Sequence, residues 1–137
     1  MKIKIRKAKL EDKEEIMKLV RNLYLKSAPK MVKKWKRDYN KLIKITLVAG
    51  FNKKIIAFLS FIIRKTDIYI GDLYVLPEYR RKSIATKLIK KIDCLRKKLK
   101  KRYLMVNNRK KDKPALRLYK KLGFQIYSNK NSLRLRK

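Results

Sequence analysis

The segment from Ile68 to Asn107 constrains the fold more than any other part of the chain. Ile68 to Leu76 reads as a strand, and Pro77 stops it because proline cannot donate to a sheet ladder. Ile84, Leu88, Ile89, Ile92, Leu95 and Leu99 then recur at helical spacing, and Arg102 to Asn107 returns as a strand. Strand, long helix and strand make a β-α-β crossover, which implies parallel pairing and a right-handed connection.

The rest of the chain alternates in the same manner. Ile3 and Ile5 alternate with lysines in a first strand. Asp12 with Glu15 then forms an Asp-x-x-Glu capping signal before Ile16, Leu19, Val20 and Leu23 at helical spacing. After Pro29, the residues Met31, Trp35, Tyr39, Leu42 and Ile43 form one apolar stripe, with Lys33, Lys34, Lys36 and Arg37 away from it. Ile45 to Ala49, a turn at Gly50 to Lys53, and Ile55 to Ile63 read as a hairpin whose second strand is almost continuously apolar and therefore central. A turn at Lys65 to Asp67 leads into the strand that begins the crossover. A helix from Lys113 to Leu122 ends at Gly123, a natural C-cap, before strands at Phe124 to Tyr127 and Ser132 to Arg136. The expected class is α/β (α+β): a mixed, mostly antiparallel central sheet with one parallel strand pair and about four helices.

Composition narrows the function classes. The 137 residues hold 43 Lys plus Arg against 10 Asp plus Glu, a formal charge of +33 with no His. Hydrophobic residues make up 45% and are spread throughout, so a single folded domain over 1–137 is expected and a disordered basic tail is excluded for most of the chain. One Cys rules out a disulfide framework, and with no His a metal site would rest almost wholly on carboxylates, so no metal is expected. No apolar run reaches the roughly 18–20 residues that span a bilayer, and the first residues alternate instead of forming a signal-peptide core. A soluble, cytoplasmic protein without membrane association is expected. The charge favours partners or cosubstrates that carry phosphate, repels polyamines, and makes non-specific nucleic-acid association an expectation at low salt. A lysine- and isoleucine-rich composition also arises from codon bias, and that origin for most of the lysines stays open.

The chemistry concentrates where the strand ending at Leu76 meets the long helix. Arg80, Arg81 and Lys82 place charge at that junction, while Ser83 and Ala85 are small enough to let a phosphate approach the main chain. The first-turn N–H groups of the helix, at its positive dipole end, are anion donors by construction. An ordinary N-cap at Ser83 beside a solvated basic turn is the bland alternative.

The pattern Val75-x-Pro77-x-Tyr79-Arg80-x-x-Ser83-x-Ala85 resembles the acetyl-CoA signature of the GNAT superfamily of N-acetyltransferases, Val-x-Pro-x-Tyr-Arg-x-x-Gly-x-Gly/Ala. Pro114 to Phe124 is similar to that family's second characteristic stretch, and Ile5 to Ala8 with Asp12 to its first strand and helix. The resemblance covers nearly the whole chain. It implies an acetyl-CoA-dependent N-acetyltransferase that passes an acetyl group by direct attack to a primary amine: on a protein or peptide, on an anionic small molecule, or on an aminoacyl-tRNA. It implies that the backbone of Leu73, Tyr74 and Val75 pairs with the pantetheine arm, and that the first strand of the parallel pair splays from the second to admit the thioester. An N–H near Val75 then polarises the acetyl carbonyl. The amides of Arg81, Lys82, Ser83, Ile84, Ala85 and Thr86 would hold the pyrophosphate, with Arg80 also binding the cofactor. Tyr119 holds the family's position for a proton donor to the leaving sulfur. Asp72 is the nearest carboxylate to the cofactor strand, although diamine acetyltransferases carry a Glu one residue earlier, where this chain has Gly71.

Three departures from the pattern bear on activity. Ser83 stands where the loop usually has Gly, so either the backbone there admits a side chain or cofactor affinity falls. Asp112 replaces an Asn usually seven residues before the helix Tyr and is expected at the cofactor. The connection from Asn107 to Lys111 is about two residues longer than the pattern, and Asn107 or Asn108 is a candidate for the missing amide. Cys94 lies off the apolar stripe of its helix and has no His to activate it, so it reads as an incidental thiol. The run from Arg96 to Arg102 reads as a solvated helix C-terminus, with the CoA 3′-phosphate or nucleic acid as other takers. The alternative function is a catalytically weak or inactive module of the same fold that binds nucleic acid through its basic surface. Monomer and homodimer both remain open, since an edge strand near the C-terminus offers a pairing surface.

Overall fold

A computed structural model describes residues 2–108, 112–128 and 133–136. Part of the long connection at Asn107 to Lys111 and the start of the last strand at Ser132 lie outside those residues. The mixed α/β class and its sheet agree with the sequence reading. Among the described residues seven strands stand in the order β1-β2-β3-β4-β5-β7-β6, with β4 and β5 as a parallel pair. Contacts divide the chain into two units: Met1–Ser60 with Asp72–Leu88, and Phe61–Gly71 with Ile89–Lys137.

The first unit opens with β1 (Lys4–Lys7), antiparallel to β2 (Thr46–Phe51), which is in turn antiparallel to β3 (Lys54–Ile63). The hairpin turn is tighter than the four residues read from sequence: β2 runs through Phe51, and Asn52 and Lys53 alone reverse the chain at φ 50° and 62°. Two positive φ values in a two-residue loop match the twist of the flanking strands. β3 is buried from Ile55 to Phe61, as its apolar run requires.

Helix α1 (Lys13–Tyr24) buries Ile16, Met17, Leu19 and Val20. Asp12 and Glu15 do not form the expected capping box, because each carboxylate has a stronger claim elsewhere. Asp12 takes both terminal nitrogens of Arg6 at 2.7 and 3.0 Å together with the Lys9 N–H at 2.8 Å, and Glu15 accepts the Ile55 N–H at 2.9 Å. The apolar stripe from Met31 to Ile43 is split rather than continuous. Helix α2 (Pro29–Arg37) stops at Asp38, whose backbone at φ −103°, ψ 19° leaves the helical region, and a single turn, α3 (Tyr39–Leu42), follows. Trp35 and Tyr39 still reach one core with Ile16, Val20, Val48 and Phe58, and Trp35 meets the Phe58 ring edge-on at 5.5 Å. Among the described residues five α-helices therefore stand where about four were expected, the extra one being this turn.

β4 (Asp67–Val75) and α4 (Ile84–Lys98) run through both units. In the second unit β4 pairs in parallel with β5 (Tyr103–Asn108), and β5 pairs antiparallel with β7 (Leu133–Arg136), which pairs with β6 (Gln125–Ser128). Helix α5 (Lys113–Lys121) ends where Gly123, at φ 98°, lets the Phe124 N–H return to the Tyr119 carbonyl at 3.0 Å. No helix among the described residues is long and apolar enough to cross a membrane.

Candidate functional site

The parallel register between β4 and β5 covers four pairs, from Asp67 with Tyr103 to Ile70 with Val106, while β4 continues to Val75. Beyond Ile70 the peptide groups of β4 follow a simple alternation. The Leu76 N–H donates to the Ile56 carbonyl of β3 at 2.9 Å, so the N–H groups of Val75 and Leu73 face the other way. On that side they carry no ladder partner among the described residues.

A 3-10 turn at Pro77–Tyr79 then leads into the basic loop. Arg81 and Ser83 both lie in the left-handed region, at φ 62° and 63°. A left-handed residue followed by a helical one turns successive N–H groups to one concave side, the arrangement that receives anions. The backbone amides of residues 81–86 donate to no backbone acceptor among the described residues; the first intrahelical bond of the segment runs from the Lys87 N–H to the Ser83 carbonyl at 3.0 Å. Arg81, Lys82 and Ser83 are exposed, and Ala85 and Thr86 half-buried, whereas Ile84 is buried and anchors the helix start. Six consecutive free amides beside two cations are a donor set that fits a diphosphate.

Arg80 has a second occupation that sequence reasoning missed. Its Nε donates to the Val75 carbonyl at 2.9 Å and its guanidinium lies 5.3 Å from the Tyr74 ring centroid, which braces the loop against the end of β4. The Val75 carbonyl is thereby occupied, and the Val75 N–H is left as the outward polar group of that residue.

Asp72 is 9% exposed on β4, and both carboxylate oxygens are engaged: Oδ1 accepts the Tyr24 hydroxyl from the end of α1, and Oδ2 accepts the Ser60 hydroxyl from β3. Neither partner was foreseen. Ser60 did leave a signal, as the one polar residue inside the run from Ile55 to Ile63. Tyr24 left none, because an aromatic at the end of an amphipathic helix reads equally as core.

Tyr119, in the second unit, is 6% exposed and meets the Phe124 ring edge-on at 5.4 Å. Burial pushes its phenol up to about 12, with the charge of Asp112 and then Tyr69 adding to the effect. Asp112 caps α5: its Oδ1 accepts the Ala115 N–H at 3.2 Å, and its own carbonyl accepts the Asn108 amide at 3.2 Å. Cys94 is exposed.

The sequence matches the acetyltransferase (GNAT) domain family over residues 43–126, which includes β2 to β5, the basic loop and α5. The chain belongs to this family. No curated protein matches it, but solved structures do. The PaiA N-acetyltransferase from Thermoplasma acidophilum, in complex with coenzyme A, superposes with a TM-score of 0.82 at 21% identity, covering 100% of this chain and 99% of that one. Arabidopsis thaliana Naa50, bound to the bisubstrate analogue CoA-Ac-MVNAL, gives 0.81 at 17% identity over 100% and 99%. AAC(6')-Iy, bound to the bisubstrate analogue CoA-S-monomethyl-acetylneamine, gives 0.81 at 14% over 95% of each chain. These identities bear on the GNAT fold alone.

Proposed function

We propose that this GNAT domain transfers an acetyl group from acetyl-CoA to a primary amine. The observation that carries the reading is the polar backbone without a backbone partner among the described residues: the Leu73 and Val75 N–H groups beyond the end of the parallel ladder, then the amides of residues 81–86. The first set suits an extended amide-bearing arm and a carbonyl oxygen that gains charge during attack. The second suits a diphosphate. Arg81 and Lys82 add charge at the loop, Ile84 fixes the helix start, and Arg80 holds the loop to β4. Asp112 is assigned to the cofactor by its place in the sequence pattern. No metal enters the reaction as proposed.

The amine lone pair attacks the thioester carbon, and as the C–S bond breaks and CoA leaves as a thiolate the new amide nitrogen gives up its extra proton to solvent. Tyr119 is assigned to the leaving sulfur by its place in the Pro114 to Phe124 pattern. A phenol near 12 stays neutral at physiological pH, so it stabilises the thiolate as a hydrogen-bond donor; full transfer to a thiolate whose parent thiol sits at about 8.5 would be uphill by about 3.5 in pKa. Asp72 is assigned as the base, acting through the Tyr24 hydroxyl that it holds: the ammonium proton passes to the Tyr24 oxygen as the Tyr24 proton passes to Asp72.

The acceptors that fit a domain of +33 are amines on proteins or peptides, or on anionic carriers such as aminoacyl-tRNA, and free polyamines are repelled. The bisubstrate analogues bound to Naa50 and AAC(6')-Iy join CoA to a peptide and to an aminoglycoside derivative, which supports an amine acceptor without selecting one. Thiol release from acetyl-CoA is the test, with peptides, amino sugar phosphates, aminoacyl-tRNA and spermidine as acceptors. Release with one of the first three and not with spermidine is expected. Absence of release with every acceptor, together with no CoA binding by calorimetry, overturns the reading.

A further inference from the structure

We infer that the outer face of α2 and the cleft at its C-terminal end form a seat for the phosphate backbone of nucleic acid. The cleft has a volume of about 220 Å³ and is lined by Lys13 of α1, Lys36 and Arg37 of α2, and Lys41 of α3, with Asp38, Tyr39 and Asn40 completing it. The carboxylate of Asp38 is already taken by Arg37, Nε and Nη2 each lying 3.2 Å from one of its oxygens. Three ammonium groups are left, and among the described residues none of Lys13, Lys36 and Lys41 forms an ion pair. The wall is fixed: Tyr39 is buried, its hydroxyl donates to the Lys9 carbonyl at 2.8 Å, and the Lys13 ammonium lies 5.6 Å from its ring centroid.

The helix leading into the cleft continues the charge. Lys30, Lys33, Lys34 and Arg37 follow the i, i+3, i+4, i+7 spacing of one helical face, while Val32 and Trp35 pack into the core behind it. α2 contains no acidic residue. Each like-charged pair at i, i+4, Lys30 with Lys34 and Lys33 with Arg37, destabilises the helix, and Lys30 stands in the first turn, where the dipole disfavours a cation. An anionic partner along this face reverses both effects. Solvation alone explains a lysine that points to water. It does not explain three unpaired lysines from three helices converging on one recess beside such a face.

Size and polarity choose the occupant. The cleft is below the roughly 300 Å³ at which drug-sized ligands are enclosed, and suits a single phosphate group. A bilayer is disfavoured because interfacial helices present large apolar side chains on one face, and those of α2 point inward. A helix of nine residues is about 13.5 Å long, the span of about four phosphates along one strand. The proposal is independent of acetyl transfer.

The test compares two triple variants of the full chain, each lowering the charge of +33 by three. Lys13→Gln/Lys36→Gln/Lys41→Gln empties the cleft of free ammonium groups, and Lys90→Gln/Lys91→Gln/Lys98→Gln on α4 is the control. Binding to 20-bp duplex DNA and to duplex RNA of the same sequence is followed by fluorescence anisotropy between 50 and 200 mM salt, with thermal melts to show that both variants fold. The cleft variant is expected to lose on the order of tenfold in affinity at 100 mM salt, with the salt slope falling by about 1; the control should change less than threefold. The DNA and RNA arms distinguish the source of the phosphate. Equal losses in both variants overturn the site. Binding of polyglutamate or of phosphatidylserine vesicles as tight as that of the duplexes overturns the assignment to nucleic acid.

Discussion

Replacing Ser83 by glycine should stabilise this protein, although glycine in a loop ordinarily costs stability. Ser83 sits at φ 63°, where the Cβ of an L-residue approaches its own carbonyl at a cost of roughly 1–2 kcal/mol. Glycine removes that cost but adds about 0.5–1 kcal/mol of conformational entropy to the unfolded chain. The net gain is about 0.5–1 kcal/mol. In a chain of 137 residues this raises Tm by about 2–4 °C, measurable by calorimetry or far-UV circular dichroism. Ser83→Ala keeps the Cβ and should melt within about 1 °C of the parent, whereas Ser83→Val, branched at Cβ, should melt lower. If the φ argument is right, the order is Gly above Ser and Ala, with Val last. A glycine variant that melts below both Ser and Ala refutes it, because the Cβ that both retain would then be worth more than the backbone cost. CoA affinity measured on the same variants separates strain from access. Removing the Cβ beside the free amides should tighten binding by two- to tenfold in the glycine variant and leave the alanine variant unchanged, a difference of about 0.4–1.4 kcal/mol.

Other perturbations test the groups around the site. Tyr119 is raised from 10.0 to about 12, so its contribution is full below pH 10 and is lost as pH rises toward 12. Two units correspond to about 3 kcal/mol, and Tyr119→Phe should flatten part of the alkaline fall in Tm, to which Tyr39, also raised to about 12 by burial, contributes as well; parallel curves for parent and variant would refute this. Asp12 is held below the ordinary carboxylate range, first by the hydrogen bond from Arg6, so its contribution is present above pH ~4 and disappears as pH falls through the lowered value. Arg6→Gln should cost about 1 kcal/mol at neutral pH, the guanidinium being 41% exposed, and the gap in Tm should close as pH falls through the lowered Asp12 value. Ser60→Ala withdraws a donor from the buried Asp72 carboxylate and should cost about 1.5–3 kcal/mol in urea melts, while Tyr24→Phe should in addition lower kcat/KM at fixed CoA affinity if the proton leaves through that hydroxyl.

What the sequence disclosed and what it hid follow from the range over which each interaction acts. The crossover from Ile68 to Asn107, the apolar run of β3, and the buried faces of α1 and α4 were legible because period and burial are written in consecutive residues. Gly123 was legible as a helix stop because its φ of 98° is a local demand. The partners of Asp72 were not, since Tyr24 and Ser60 lie 48 and 12 residues away and only the packed sheet brings them to one carboxylate. The capping box failed for a related reason. Asp12 and Glu15 have the right spacing, but an arginine on β1 and an amide on β3 compete for them, and a charge-assisted pair outweighs a local cap.

The basic loop shows both limits at once. Its residue types matched an anion site before any geometry was known, yet the sequence left two outcomes for Ser83, and only the backbone separates them: the chain enters the left-handed region with a side chain in place. Among the described residues the amides of 81–86 meet no backbone acceptor because the chain bends there, and the same bend turns them to the side where the proposed diphosphate would sit. A conformation unfavourable in isolation and suited to a ligand is the expected mark of a binding loop, since strain of this size persists only where the surrounding structure imposes it. Here the surroundings can be named. The Arg80 bond to the Val75 carbonyl fixes the loop at its entry, and buried Ile84 fixes it at its exit. Weakening either anchor should therefore act on Ser83 from a distance: in Arg80→Gln, the advantage of glycine over serine at position 83 should shrink, because the loop is then free to relax out of the left-handed region. A double-mutant cycle over positions 80 and 83 measures that coupling, and strict additivity would show that Arg80 does not impose the bend.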